Sequence, residues 1–247
     1  LFSRPLKTTP PYRAPLLRKD GSFSGKLKSN SKLLLLPFLY KLIIQRTLEV
    51  MNYLAHIYLS GDDRPLLKIG NFAADSIKGK AYKKFPQAIQ QGILLHREID
   101  TFTDTHPIVF ESKHRLFKKY RHYSSVIVDM FYDHFLAKNW QDYHATRLPV
   151  YVEDFYLLLK YNFEHLPKRV QNFYPYMVSD NWLLSYADLD GLHKILSQMS
   201  SRVRGKVKLQ DAIVELDDAY ELFEQEFVAF FKELEAFAAQ KKKELLI

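Results

Sequence analysis

The apolar residues of the C-terminal segment repeat at the spacing of an α-helix, and this pattern limits the folds open to the chain. They recur at three- and four-residue steps, with Asp, Glu and Lys between them, at Ile213, Leu216, Tyr220, Phe223, Phe227, Phe230, Phe231, Leu234 and Phe237. The spacing predicts one amphipathic helix of about 30 residues, whose apolar face must be covered by other elements of the fold.

The rest of the chain after Met51 also carries helical signals, with no sustained alternation of the kind that indicates strands. Helices are predicted over 65–78, 88–102, 107–120, 124–140, 152–165, 168–178 and 188–200. The chain has 247 residues, 47% of them hydrophobic, which is enough for one sizeable core. We therefore predict an all-α fold, a single-domain helical bundle that ends in a long helix.

The net charge of +8 comes entirely from the first fifty residues. Residues 1–50 contain 10 Lys and Arg against 2 acidic residues, whereas residues 51–247 contain 26 basic and 26 acidic residues. Because the body is neutral overall, no nucleic-acid partner is expected. The apolar run LLLLPFLYKLII (33–44) is interrupted and shorter than the roughly 20 residues that span a bilayer, so no membrane span is expected.

We interpret residues 1–50 as a basic leader, either disordered or outside the functional polypeptide, and residues 51–247 as the functional domain. The leader holds five of the eleven prolines, and the first Met of the chain is Met51. The alternative is a short helix over 33–50 that docks on the body or on a membrane surface. The absence of cysteine excludes disulfides and thiolate ligands and is compatible with a cytoplasmic location, which we expect.

Four segments of the body place His or Asp among apolar residues. These residues are His56, Asp75, His96, Asp100, Asp104, Asp129, Asp133 and His134. Helices of a bundle can bring such groups to one interior point. Burying a carboxylate costs several kcal/mol unless it is paired or bound to a metal. The pattern therefore predicts either a metal site or a buried ion-pair network, for example Asp100 with Arg97 or Arg121.

The residue types at this site limit the metal and the chemistry. Imidazole nitrogens and carboxylate oxygens without sulfur suit Mn²⁺, Fe²⁺ or Mg²⁺, and Zn²⁺ is compatible. Such an ion can activate water near neutral pH and neutralise phosphoryl oxygens. The chemistry indicated is hydrolysis, most naturally of a phosphoester.

Several short segments, taken together, resemble the acyl carrier protein phosphodiesterase family. In chain order they are MNYLAHIYLS, GNFAADSIKG, GILLHREIDTFTDTHP, DMFYDHFLAKNW, WLLSYADLDGL, MSSR and LDDAYELFEQEF, and they extend over essentially all of 51–247. The resemblance implies a bundle like that of the HD-type metal-dependent phosphohydrolases. It also implies hydrolysis of the phosphodiester that links 4'-phosphopantetheine to a serine of holo-acyl carrier protein, an acidic partner, with Mn²⁺ or Mg²⁺.

The resemblance also assigns roles to individual residues. Asp75 matches the essential aspartate of the family's G-N-x-x-x-D pattern, and it would either complete the metal site or orient the attacking water. The predicted metal ligands are His56, Asp75, His96, Asp133 and His134. The predicted catalytic residues are Asp75, Asp100 and Arg97. Arg97 is a candidate because it adjoins His96 and a guanidinium matches phosphate oxygens, and it either contacts the phosphodiester or pairs with Glu98 or Asp100. Asp100, Asp104 and Asp129 are predicted to hold the ligating imidazoles in place.

Two basic clusters are candidates for binding an acidic carrier protein. One lies in 113–123, and the other, which we favour, consists of Arg202, Arg204, Lys206 and Lys208. Ordinary solvated surface remains the alternative for each. Two other functions also remain open: a phosphohydrolase acting on a nucleotide or another small phosphoester, and a non-enzymatic helical adaptor for an acidic protein whose His/Asp cluster is structural.

Overall fold

The computed structural model describes residues 53–202 and 207–245, without the side chains of 201 and 202. These residues form helices and turns, and no strand occurs among them, which confirms the all-α prediction. None of the helices in these two ranges is long and apolar enough to cross a bilayer. The predicted leader, residues 1–50, lies outside the described residues.

Twelve α-helices occur within the described ranges. They are α1 (Tyr53–Leu59), α2 (Pro65–Ala73), α3 (Gln87–Thr105), α4 (Pro107–Tyr120), α5 (Ser124–Lys138), α6 (Trp140–Tyr143), α7 (Leu148–Tyr161), α8 (Lys168–Ser179), α9 (Trp182–Ser185), α10 (Leu189–Arg202), α11 (Ala212–Asp218) and α12 (Tyr220–Leu245). Short 3-10 helices lie at Ala74–Ser76, Gly79–Lys84, Arg121–Tyr123, Phe163–His165 and Leu209–Asp211.

The predicted C-terminal helix is in fact two helices. α11 ends before Ala219, whose φ of −131° and ψ of 30° lie outside the helical region, and α12 then begins at Tyr220. The apolar residues keep a three- and four-residue spacing across this break, so the spacing alone predicts a continuous helix. The predicted helix over 65–78 likewise stops at Ala73, and Asp75 lies in the 3-10 turn that follows.

The core forms where α12 packs against α5. The rings of Phe223 and Phe227 on α12 contact those of Phe131 and Phe135 on α5, and all four side chains are fully buried. Aromatic residues bury large apolar areas and so dominate the energetics of such a contact. The packing fixes α5 at the centre of the bundle, from which it contacts α1, α4 and α10.

Two glycines allow α2 and α3 to touch along their backbones. A Cβ atom added at Gly70 would lie 2.2 Å from the carbonyl oxygen of Ile89, and one added at Gly92 would lie 2.0 Å from that of Leu67. Only glycine permits so close an approach. The contact places Asn71 and the Asp75 turn beside the second half of α3, where the candidate site lies.

Candidate active site

Two imidazoles and a carboxylate converge between α1 and α3. His56 Nε2 lies 3.3 Å from Asp100 Oδ1, and His96 Nε2 lies 3.1 Å from Asp100 Oδ2. The two imidazole rings stack with their centroids 4.0 Å apart. Each of the three residues offers a ligand atom within 4.8 Å of the other two, and among the described residues they are the only group of three or more His and acidic residues that does so.

Asp75 joins this cluster through His96, whose Nε2 lies 3.1 Å from Asp75 Oδ1. The imidazoles of His56 and His96 are buried, whereas the side chains of Asp75 and Asp100 are 25% and 45% exposed. The imidazoles therefore lie at the buried side of the cluster, and the carboxylates lie at its solvent-accessible rim. A substrate can approach the carboxylates from solvent.

The charges within this cluster shift the pKa values of His96 and Asp100. Burial lowers the pKa of His96, but Asp75 and Asp100 outweigh burial and raise it well above its usual value. Burial likewise raises the pKa of Asp100, but His96 and His56 outweigh it and hold that pKa well below its ordinary range. The two carboxylates thus create a position that favours positive charge.

The backbone geometry accounts for how each member reaches the site. His96 and Asp100 are four residues apart on α3, so they lie on one face of that helix. His56 comes from α1, whose first turn is held by Asp133: the backbone N–H groups of Leu54 and Ala55 donate to the two Asp133 oxygens at 3.1 and 2.9 Å. Asp133 therefore positions α1 and has both of its oxygens occupied.

Asn71 is a site residue that the sequence patterns did not single out. Its amide nitrogen donates to the His56 carbonyl oxygen at 2.9 Å and to Ser60 Oγ at 3.0 Å, so its Oδ1 faces His56 Nδ1, 2.9 Å away. Nδ1 must then carry a proton, so Nε2, which lies toward Asp100, is the nitrogen that a metal could take. The Asn of the G-N-x-x-x-D pattern was the available signal.

A divalent cation fits this donor set. Nε2 of His56, the His96 imidazole and the Asp100 carboxylate are the mixed nitrogen and oxygen ligands that Mn²⁺ and Fe²⁺ accept. Nδ1 of His96 is buried and lacks a hydrogen-bond partner. The hydrogen bond that His56 Nδ1 donates to Asn71 Oδ1 is the kind of support that ligating histidines usually have.

His134 does not lie with the other predicted ligands. Its Nδ1 lies 2.7 Å from the carbonyl oxygen of Tyr186 and its Nε2 lies 2.7 Å from the hydroxyl of Tyr220, so both ring nitrogens are engaged elsewhere. The predicted ligands His56, Asp75, His96, Asp133 and His134 are therefore not all brought together in this structure. Asp133 and His134 follow each other on a helix, point in different directions and join α5 to other elements.

Arg97 points toward the turn that follows Asp75. Its Nη2 donates to the carbonyl oxygens of Ile77 and Gly79 at 3.2 and 2.8 Å, and its guanidinium lies over the ring of Tyr82. This differs from both predicted contacts, the phosphodiester and a carboxylate of Glu98 or Asp100. Arg97 fixes the backbone beyond Asp75 and thereby helps to place that carboxylate.

The two remaining predicted aspartates lie beside the cluster and contact neither imidazole. The largely exposed Asp104 pairs with Lys113 at 2.8 Å. Burial raises the pKa of Asp129 to about 8, while Lys113 lowers it and Asp100 adds to the increase. Of the favoured docking cluster, Arg204, Lys206 and the side chain of Arg202 lie outside the described residues, and Lys208 is exposed.

The comparisons with known proteins show the family of the chain. A sequence profile described as "Acyl carrier protein phosphodiesterase" matches residues 51–234. The chain belongs to this family. The acyl carrier protein phosphodiesterase of Yersinia pestis is 32% identical to it over 183 residues, which cover 73% of this chain and 94% of that protein.

Other relatives with the same printed name match over their whole length. The protein of Yersinia enterocolitica is 31% identical, with 78% of this chain and 100% of that protein covered. The protein of Escherichia coli K12 is 30% identical, with 77% and 99% covered. No solved structure matches, so the relation to HD-type phosphohydrolases stays a prediction.

Proposed function

We propose that this chain hydrolyses the phosphodiester between 4'-phosphopantetheine and the serine of holo-acyl carrier protein. The products are the apo-carrier protein and 4'-phosphopantetheine. Water supplies the oxygen that bonds to phosphorus, the bond from phosphorus to the serine oxygen breaks, and the serine oxygen leaves with a proton. A cytoplasmic location for this reaction stays a prediction.

One observation carries the proposal: His56, His96 and Asp100 converge, with Asp75 beside them, in a chain of the acyl carrier protein phosphodiesterase family. The position that favours positive charge is partly open to solvent, as a phosphodiester substrate requires. A buried ion-pair network, the structural alternative for the same residues, would not need its carboxylates at the surface.

We propose that His56, His96 and Asp100 hold a divalent metal, most suitably Mn²⁺, with Mg²⁺ or Fe²⁺ as alternatives. When bound, the ion would lower the pKa of water and neutralise phosphoryl oxygens. Asn71 keeps Nε2 of His56 available as a ligand. Asp75 lies at the open edge of the cluster with one oxygen on His96. We assign it to orient the attacking water and accept its proton, a role that its position at the rim permits.

The test is mass spectrometry of purified holo-acyl carrier protein incubated with this chain and Mn²⁺. We expect loss of the phosphopantetheine mass from the carrier protein and its appearance as free 4'-phosphopantetheine. Asp75→Asn should abolish the release, because an amide cannot accept the proton. Asp104→Asn, a matched change at an exposed carboxylate one turn beyond Asp100, should retain it.

Free nucleotides and a chelator complete this experiment. Retained phosphopantetheine with every divalent metal tried would reject the proposed reaction, and turnover of nucleotides instead would favour the small-phosphoester alternative. Release that persists after exhaustive chelation would reject the metal while leaving the hydrolysis in place.

A further inference from the structure

The helix α4 divides its cations between two sides. On the side that faces the bundle, three of them pair with carboxylates of neighbouring helices. These pairs are Lys113 with Asp104 at 2.8 Å, Arg115 with Glu226 at 2.6 Å and Lys119 with Glu215 at 2.5 Å. Their charge is neutralised within the molecule, and they hold α4 to α3, α12 and α11.

The opposite side of α4 presents an aromatic and basic surface to solvent. We call Phe110, His114, Phe117, Lys118 and Arg121 the aromatic–basic face. Phe110 is 62% and Phe117 48% exposed. The ring of Phe110 lies 6.0 Å from that of His114, and the Arg121 guanidinium lies 5.6 Å from the ring of Phe117. Spacings of three, four and seven residues place the members within α4 on one face, and the Arg121 guanidinium joins them through its position over Phe117.

Among the described residues, no acidic side chain pairs with the cations of this face. Within the described residues, neither Lys118 nor Arg121 forms an ion pair, in contrast to Lys113, Arg115 and Lys119. Glu111 is the only acidic residue in α4, and it lies at the edge of the face. Exposed aromatic side chains beside an Arg are typical of a protein-binding surface, and the adjacent Lys118 adds positive charge that complements an acidic partner.

Arg121 occupies a backbone conformation that normally requires glycine. Its φ of 54° and ψ of −130° place it in a region that L side chains rarely adopt. The hydroxyl of Ser124 donates to its carbonyl oxygen at 2.6 Å and helps to hold this conformation. A residue other than glycine thus occupies a position where glycine would be less strained, and its guanidinium lies over the ring of Phe117.

We propose that the aromatic–basic face of α4 docks an acidic protein surface that has an apolar patch. The identity of that partner rests on the proposed function, which makes it the carrier protein. The pair between Asp104 and Lys113 ties α4 to α3 one turn beyond Asp100. On the proposed function, a carrier docked on this face would have to extend its prosthetic group from α4 to the cluster of His56, His96 and Asp100.

The experiment measures the dissociation constant of holo-carrier protein by fluorescence anisotropy, and separately measures phosphopantetheine release and hydrolysis of bis(p-nitrophenyl) phosphate. Lys118→Glu with Arg121→Glu should weaken carrier binding at least tenfold and leave hydrolysis of the small diester unchanged. The charge-matched control is Lys160→Glu with Lys194→Glu, at exposed cations on α7 and α10. It should change binding less than threefold.

Two further variants separate docking from folding. Arg121→Gly should leave the unfolding midpoint unchanged or higher, because glycine suits this backbone, and should still weaken carrier binding severalfold. Phe117→Ser should weaken binding without lowering the midpoint, since the ring is exposed.

The outcomes for docking and for the reaction can be told apart. Carrier binding that is unchanged in the α4 variants, or reduced equally by the control pair, would overturn the docking face even if release proceeds. Binding that falls as expected without any release would retain the docking face and reject the hydrolysis. A chain that binds no carrier protein would overturn the docking inference outright.

Discussion

The side chain of Asn71 holds His56 in a single tautomer, with 2.9 Å between Asn71 Oδ1 and His56 Nδ1. The assignment follows from the other end of the amide, whose nitrogen faces the His56 carbonyl oxygen, an atom that can only accept. The proton on Nδ1 leaves Nε2 as the atom available to a metal. Asn71 thus acts on the site through His56.

We expect Asn71→Leu to weaken Mn²⁺ binding by about 10- to 100-fold, because the imidazole would lose the partner that fixes its tautomer and orientation. Isothermal titration calorimetry on the chelator-treated protein measures this. Ser60→Ala is the control, because it removes another partner of the same amide without touching the His56 ring. Unchanged affinity in a folded Asn71→Leu protein would remove Asn71 from the site.

Two matched histidine variants test the proposed ligand set of His56, His96 and Asp100, which leaves out His134. His96→Gln should weaken metal binding by more than about 100-fold, since it removes a proposed ligand. His134→Gln should leave the affinity within about threefold, because both nitrogens of His134 are engaged with Tyr186 and Tyr220. Metal affinity measured by competition with a fluorescent chelator decides between the sets, and equal losses in the two variants would restore His134 to the site.

The sequence predicted those features of the site that depend on spacing within one element. His96 and Asp100 share a face because they are four residues apart, and Pro65 and Pro107 mark the helix starts that the structure shows. The all-α class followed from apolar periodicity along the chain. Such signals need no knowledge of which elements are neighbours.

The features that depend on neighbouring elements could not be read from the sequence. Asp133 and His134 are adjacent in the chain, so their side chains diverge by about 100° on a helix and meet different neighbours. One faces the start of α1 and the other faces Tyr186 and Tyr220. Nothing in the DH dipeptide distinguishes a metal ligand from a helix cap, because both uses need the same polar atoms.

Because Asp133 caps the start of α1, we predict that a substitution of nearly equal size at this position destabilises the protein. Asp133→Asn replaces one accepting oxygen by a donor facing a backbone N–H, and we expect it to lower the free energy of unfolding by about 1–3 kcal/mol. Urea denaturation in the presence of chelator measures the change. Asp129→Asn, one turn earlier on α5, is the control and should cost less than about 0.5 kcal/mol. An equal loss in both variants would contradict the capping role.

The burial of His134 predicts acid destabilisation. Burial lowers the pKa of His134 in the folded state, so the folded protein favours the neutral imidazole, which donates from Nδ1 and accepts at Nε2. Neutral His134 therefore contributes fully to the free energy of unfolding above pH 6.5, roughly the pKa of histidine in the unfolded chain. This contribution is lost as the pH falls below that value, by up to about 1.4 kcal/mol per pH unit.

The measurement for His134 compares how steeply the free energy of unfolding changes with pH in two proteins. Unfolding free energies of the unaltered chain and His134→Gln, taken at pH 7.5, 6.5 and 5.5 with chelator present, should converge as the pH falls. The comparison cancels the opposite contribution of His96, whose raised pKa favours the folded state at low pH. If the free energies of unfolding of the two proteins changed in parallel with pH, His134 would not contribute to the acid destabilisation.

The contact between α2 and α3 predicts that one methyl group can disturb the site. Gly70→Ala would place its Cβ 2.2 Å from the backbone oxygen of Ile89, so the helices must separate, at about 1–3 kcal/mol in stability. Because Asn71 follows directly on α2, the same movement should draw its amide away from His56 and weaken Mn²⁺ binding. Gly79→Ala is the control, because it adds the same methyl group where no atom lies within 4 Å. The φ of +53° at residue 79 is strained for alanine, so this variant should lose about 1 kcal/mol of stability and keep its Mn²⁺ affinity. Calorimetric titration of both variants with Mn²⁺ separates the two effects, and loss of stability without loss of affinity in Gly70→Ala would show that the site does not depend on this helix contact.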